Sequence, residues 1–280
     1  MSEIALRAID ILPHIKICRK GKIKTKNSTQ DRVINIFLIC LVVISIFSFL
    51  PLDIDWIKLA TRIPDIGIIF AKLSQLSLKN FDFTLIALLE TISITILATV
   101  YGILIGLFFG AFAARNLVKN RVVTTCLTSF FTFLRAVPTP VWVLLALVCF
   151  GLGPVAGIVG LSIHAIAFFA RAFSQSFEDV PYEVIEALEA TGANKLQVFF
   201  AAVLPAAMSQ IVAWAGLRFE INFQESAILG MVGAGGIGFA ITTSMQSYNY
   251  GVAGLAMILV FVYAYLIELA FTTVKKKYIQ

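Results

Sequence analysis

Pro181-Tyr-Glu-Val-Ile-Glu-Ala-Leu-Glu-Ala-Thr-Gly192, continuing through Asn194 and Gln197 to Leu204-Pro205, is a polar island between two long apolar runs. Pro181 suits a first helical turn, and Gly192 suits the left-handed position just past a helix end. Asn194 with Gln197 three residues later is a capping-box-like start for a second helix. The spacing therefore predicts two helices meeting at a sharp glycine corner. At about 100° per residue, Glu183, Glu186 and Glu189 fall on one flank of the first helix, and Val184, Ile185, Ala187 and Leu188 on the other. Periodicity alone describes a short amphipathic helix resting on the inner face of a membrane.

The runs on either side explain why a membrane is invoked. A spanning helix needs about 20 predominantly apolar residues. Val33 to Leu50, Thr84 to Ala114, Val122 to Phe150, Val155 to Ala172, Leu196 to Leu229 and Gly254 to Thr273 meet that need. The second run contains Glu90, and the third is broken by Pro138 and Pro140. A polar stretch, Ser174 to Lys195, follows the fourth. Between the first two runs, Asp53 to Asp82 mixes Trp56, Ile57, Ile63, Ile66 and Leu73 with charges, and reads as an amphipathic helix along the outer interface.

Charge sets the orientation. Eight basic residues precede position 33 and Lys275 to Lys277 close the chain. With both termini inside, the cytoplasmic pieces 1–32, 115–121, 171–196 and 274–280 hold sixteen of the 22 basic residues. Six spans with cytoplasmic ends satisfy the positive-inside rule.

Composition agrees. Of 280 residues, 59% are hydrophobic and only 14% charged, too few to solvate the surface of a water-soluble domain of this size. The net charge of +6 is a matter of membrane flanks, with no aromatic-basic motif for nucleic acid. Cys18, Cys40, Cys126 and Cys149 have no paired spacing, which supports neither a disulfide framework nor a zinc site. His14 and His164 are too far apart to form a metal site; His164 reads as a hydrogen-bonded packing residue, with a place along the pathway as the alternative. The N-terminus does not read as a cleavable signal peptide. Gly233-Ala-Gly235-Gly-Ile-Gly238 fits the dinucleotide fingerprint literally, but it follows a span, and Ile258 stands where the fingerprint's acid belongs. The glycines read better as a tight re-entrant turn at the outer end of the fifth span. No G-x-x-x-x-G-K-[ST] phosphate loop occurs, so any ATP-derived energy comes from another chain.

Glu186-Ala187, Gly192 and Leu204-Pro205 together resemble the cytoplasmic "EAA" loop of ABC-importer permeases, with Leu188 in place of the second alanine. Leu89-Glu90-Thr91, Arg135-Ala-Val-Pro-Thr-Pro140, Gly151-Leu-Gly-Pro154, Arg218-Phe-Glu-Ile-Asn222 and Gly230 to Gly238 extend the resemblance over about 84–274. The second half is most similar to phosphonate/phosphite permeases. It departs from them at Gln224-Glu225, where a basic residue is expected.

The resemblance implies an all-α membrane protein with the type I ABC importer permease fold. It divides the chain into a basic tail (1–32), a first transmembrane helix with an amphipathic outer segment (33–83), a permease core (84–274) containing a coupling helix (181–192), and a cytoplasmic C-terminus (275–280). It implies a non-enzymatic transport subunit of the inner membrane, paired with a second copy. Two ATPase subunits, which hold ATP and Mg, and a periplasmic or lipid-tethered solute-binding protein complete the machine. Glu186, Ala187, Gly192, Leu204 and Pro205 are the implied coupling residues. Gly233, Gly235, Gly236 and Gly238 are implied at the outer gate and docking face. Arg135, Arg218, Glu220, Asn222 and Glu225 either line the pathway or pair with one another, for instance Arg218 with Asn222. The rival readings are the same machine for another solute, such as methionine, and a secondary transporter.

Overall fold

The computed structural model describes residues 28–52 and 54–278, with side chains described over 32–52 and 54–273. The basic tail up to residue 27 and the side chains of Lys275 to Lys277 lie outside the described residues. Helix accounts for every regular element, and no strand occurs among the described residues. The chain divides into two compact units at Pro64/Asp65, inside the second helix.

The first unit holds α1 (Ser28–Phe49), whose apolar residues are exposed on every side. A helix apolar all round, with an 18-residue span of mean hydropathy 2.4, is built for lipid or a partner helix. The second helix, α2 (Trp56–Ser74), begins in this unit and carries four charges in 19 residues, too polar to span.

The second unit is the helical core. It contains α3 (Phe81–Ala113), α4 (Arg121–Ala136), α5 (Thr139–Phe150), α6 (Pro154–Glu178) and α7 (Tyr182–Glu189). Then come α8 (Lys195–Val198), α9 (Leu204–Leu229), α10 (Gly236–Gln246) and α11 (Tyr250–Tyr278). The described residues include five helices long and apolar enough to cross a bilayer, and six such segments if α4 and α5 count as one. Those two meet at 86°. Pro138 sits at the N-cap of α5 and Pro140 in its first turn, where the missing N–H costs nothing, while Val137 before Pro138 is extended and ends α4.

The centre of the unit is the contact of α3 with α6. Gly102, Gly106 and Gly110 lie one above another on α3 and leave room for Phe169, Ala170 and Phe173 of α6. A Cβ on Gly106 would collide with that of Phe169. Small residues at four-residue spacing let helix backbones approach in lipid, where packing replaces the hydrophobic effect. Phe169, Phe173 and Phe177 are fully buried and join Ile185 of α7, Val198 of α8 and Ile211 of α9 in one cluster. For this reason α6 runs on to Glu178 instead of stopping near Ala172. The serines that make residues 174–178 look polar are buried, with Ser176 Oγ donating to the Ala172 carbonyl.

The fifth apolar run is longer than expected, helical from Lys195 to Ala234. It contains two π turns, Phe199–Val203 and Gly230–Ala234. Pro205 explains the first. Its ring has no N–H to give and crowds the carbonyl one turn back, so the preceding turn widens, and Leu204 N–H reaches the Phe199 carbonyl.

Candidate functional site

The corner between α7 and α8 is built as its sequence requires. Asn194 Oδ1 accepts the Gln197 N–H at 2.9 Å and Gln197 Oε1 accepts the Asn194 N–H at 2.8 Å, a complete capping box. Gly192 has φ 85°, in the region that favours glycine. Space is not the reason for the glycine, because a Cβ there would meet nothing within 4 Å. Glycine at this corner answers a backbone need, as the left-handed position just past the helix end requires. Pro181 caps α7 from outside the helix and does not enter its first turn.

On α7, Ile185 is buried in the aromatic cluster and Leu188 packs against it, while Val184 and Ala187 stay exposed. The buried flank is therefore narrower than the four apolar residues suggested. Glu183, Glu186 and Glu189 all remain exposed. The result is a short helix anchored through Ile185 to α6, α8 and α9, with its carboxylates exposed. Leu204 and Pro205 lie at the base of α9, where the π turn opens.

The polar residues expected along a pathway separate into two groups. Arg218 is 3% exposed and Asn222 fully buried, whereas Glu225 is 26% exposed and Glu220 half-buried. Arg218 Nη2 donates to Glu225 Oε2 at 2.9 Å and lies 2.9 Å from His164 Nδ1. Guanidinium only donates, so Nδ1 accepts and the neutral imidazole carries its proton on Nε2. Thr139 Oγ1, at the start of α5, donates to Glu225 Oε1 at 3.3 Å. Arg218 and Arg135 both lie over the Phe168 ring, with Cζ 5.6 and 5.5 Å from its centroid. Asn222 does not partner Arg218; its Nδ2 donates to Thr99 Oγ1 of α3 at 2.9 Å. Gln224 Nε2 lies 3.4 Å from Glu220 Oε1. Among the charged members, Arg135 is exposed at the chain surface.

The glycine-rich turn does not end a span at the surface. Gly236 N–H donates to Glu90 Oε2 at 2.9 Å and Ile237 N–H to Thr91 Oγ1 at 2.8 Å, so two residues of α3 cap α10 from across the chain. Glu90 lies nine residues into α3, about 14 Å along the helix at 1.5 Å per residue. From that depth α10 carries the chain onward to the turn at Ser247–Asn249. Gly233 and Gly235, at φ 108° and 78°, make the reversal, and Gly153 N–H ties it to the α5–α6 loop through the Gly233 carbonyl at 3.0 Å. Gly236 and Gly238 are buried, and a Cβ on Gly238 would collide with the Ala227 carbonyl. These two glycines are explained by internal packing. No strand precedes the motif, which removes its dinucleotide reading.

The Glu90 contact was missed from sequence because its partner is 146 residues away. A carboxylate at a helix N-terminus meets both the free N–H groups and the helix dipole. Glu90→Leu is expected to lower the stability of the full chain in detergent by about 1–2 kcal/mol in thermal unfolding. Glu90→Gln, which keeps an acceptor oxygen, is expected to lose less than half of that.

Comparison with known proteins places this architecture. Residues 102–276 match the family model for the binding-protein-dependent transport system inner membrane component. The chain is similar to the phosphate-import permease protein PhnE of Mycolicibacterium smegmatis, 32% identical over 250 residues that make up 86% of this chain and 46% of that protein. It is also similar to the phosphite transport system permease protein PtxC of Stutzerimonas stutzeri, 27% identical over 80% of this chain and 82% of that one. The chain thus spans about half the length of the first of these relatives. Among solved structures, the MetNI methionine ABC transporter in inward-facing form matches with a TM-score of 0.63 and 25% identity, over 70% of this chain and 96% of that one. The multi-pass helical core, the two helices meeting at a glycine corner and these likenesses lead to one assignment: the chain belongs to the inner membrane components of binding-protein-dependent transport systems, the permease family of ABC importers.

Proposed function

We propose that this permease imports a small phosphorus oxyanion, such as phosphonate or phosphite, across the inner membrane by ATP-driven alternating access. It works as a pair of identical chains with two ATPase subunits and a periplasmic or lipid-tethered solute-binding protein. ATP hydrolysis belongs to the ATPase partner. The observation that carries the reading is α7: an acidic, exposed flank on a helix anchored in the aromatic cluster through Ile185. Closure of an ATPase against Glu186 and its neighbours would be passed by Gly192 and the capping box to α9, with Ala187, Leu204 and Pro205 as further coupling residues.

The solute class is supported by the phosphate and phosphite transport relatives. A methionine reading draws on a D-methionine permease of Vibrio cholerae, 30% identical but over only 42% of this chain. Within the pathway, Arg135, Glu220 and Glu225 are the groups that reach the chain surface. Arg218 and Asn222 act on it from behind. An entering anion opposes a negative interior at about 2.3 kcal/mol per charge per 100 mV, so the path needs fixed positive charge. Arg135 beside the α4–α5 break supplies it, and Gly233 and Gly235 belong to the outer gate. Uptake of labelled phosphite, methylphosphonate and methionine by the assembled importer tests the solute; methionine uptake without oxyanion uptake refutes the proposal.

We further infer six spans with both termini in the cytoplasm, α4 and α5 forming the third. In a chain freed of Cys18, Cys40, Cys126 and Cys149, Ser247→Cys is expected to react with an impermeant thiol reagent on intact cells. Lys195→Cys is expected to react only after the membrane is opened. Labelling of Lys195→Cys in intact cells overturns the topology.

A further inference from the structure

At the end of the bundle opposite α7, the α2–α3 turn and the α10–α11 turn border an open pocket of about 640 Å³, lined by polar and apolar surface in similar measure. Its lining includes two exposed lysines, Lys72 and Lys79, with Ser77, Asn80, Tyr248 and Tyr250, and no carboxylate lines it. Among the described residues neither lysine has a carboxylate within 4 Å. Lys72 is held to the wall by the Tyr250 ring, with Nζ 5.4 Å from its centroid.

The frame is fastened. Ser77 N–H donates to the Gly251 carbonyl at 3.2 Å. Side chains on Gly251 or Gly254 would collide with the Gln75 or Leu73 carbonyl, so the two turns are clamped backbone to backbone. Among the described residues only two non-glycine residues have positive φ, Asn80 at 59° and Tyr248 at 58°, and both line this cavity. Strained backbone that surrounding structure holds in place marks sites more often than bulk scaffold. The donors are also unspent. Asn80 sits at the N-cap of α3 yet its side chain makes no capping bond. Ser77 Oγ accepts the Lys79 N–H at 3.3 Å, which leaves its own proton to donate.

We propose that this cavity binds a phosphoryl oxyanion between Lys72 and Lys79, at a site distinct from the Arg218 cluster. Two point charges with hydroxyl and amide donors, and no acid to compete, form a tetrahedral-anion site. The anion comes either from free solute or from a phospholipid headgroup. The inference goes beyond the transport reading and does not depend on it, since it concerns the chain alone.

The test is acylation of lysines in the purified full-length chain by an impermeant amine reagent, quantified peptide by peptide. In phospholipid-free detergent, inorganic phosphate or methylphosphonate at about ten times its dissociation constant is expected to slow labelling of Lys72 and Lys79 about tenfold. Lys58, exposed on α2, is the internal control and is expected to stay at its original rate. Lys79→Gln is expected to remove the protection of Lys72, and Lys72→Gln that of Lys79. Protection in phosphatidylglycerol nanodiscs without added phosphate assigns the anion to lipid; protection only on adding phosphate assigns it to free solute. Unchanged rates in both settings, or equal slowing of Lys58, overturn the site. Absence of oxyanion uptake by the assembled importer would count against the transport reading only and leave this result standing.

Discussion

Replacing Gly192 by valine is expected to cut uptake by about tenfold or more while membrane insertion and pairing of the chains stay normal. The physical cause is confined to one residue. At φ 85° a β-branched side chain clashes with its own backbone at a cost of about 1–3 kcal/mol, and a shift of 1.4 kcal/mol is already tenfold in an equilibrium. The corner can shed that strain only by turning α7 away from α8, which also strips the capping box from Asn194 and Gln197. Insertion is unaffected because the corner lies outside the apolar runs. Nothing approaches a Cβ at this position within 4 Å, so the series discriminates between causes. Gly192→Asn, which tolerates the left-handed region, is expected to retain most of the uptake, with Gly192→Ala between it and valine. Uptake and substrate-stimulated ATPase activity of the assembled importer provide the measurement. Equal failure of asparagine and valine would show that a partner packs on the glycine and that backbone conformation is secondary.

What could be read beforehand follows the range of the interaction. The Asn194–Gln197 box and the left-handed Gly192 depend on neighbours within three or four residues, and both stand in the structure as the residues imply. The apolar runs and the proline break are likewise local properties of composition. Contacts that close over a long sequence distance were not legible. Glu90 presented itself as a charge in need of a partner, but nothing near it in sequence names the Gly236 N–H. Helix α10 escaped notice because its 11 residues are too short to span and its serine and threonines blur the apolar pattern. The extension of α6 to Glu178 was hidden for a related reason, since buried serines that bond back to their own helix read as surface. The Gly102, Gly106 and Gly110 series was available as a four-residue repeat of small residues, and it was overlooked. At Arg218 the one-turn partner Asn222 was the natural guess, yet seven residues bring a side chain back to the same helix face almost as well. Glu225 wins because a carboxylate offsets the charge that burial penalises, whereas an amide does not.

That pairing sets the expected behaviour of the intramembrane cluster. Arg218→Gln is expected to destabilise the chain by roughly 2–3 kcal/mol and to reduce uptake strongly, because it leaves Glu225 without its cation and His164 without its donor. The cost is set toward the low end by the 26% exposure of Glu225, which lets water take part of the charge. Glu225→Gln is expected to cost more, since it strands a guanidinium that is only 3% exposed. The double change Arg218→Gln with Glu225→Gln removes both charges and is expected to recover most of the stability and a large share of the uptake. Arg218→Gln with Glu220→Gln is expected to recover neither, as Glu220 has Gln224 for a neighbour and no contact with the guanidinium. Arg218→Lys keeps the charge, and one ammonium nitrogen can serve both acceptors as Nη2 does, but its shorter stem must stretch to them and the planar contact with Phe168 is lost, so an intermediate stability is expected. Arg135→Gln provides the contrast. Its guanidinium is exposed and its partner is the Phe168 face, so stability is expected to fall by less than about 1 kcal/mol. Uptake is nevertheless expected to fall severalfold, because Arg135 is the cation available to the anion. Thermal unfolding of each full-length variant in detergent gives the stabilities, and labelled phosphite uptake by the assembled importer gives the function. Full stability of the Arg218–Glu225 double variant with no uptake at all would move Arg218 from behind the pathway into it.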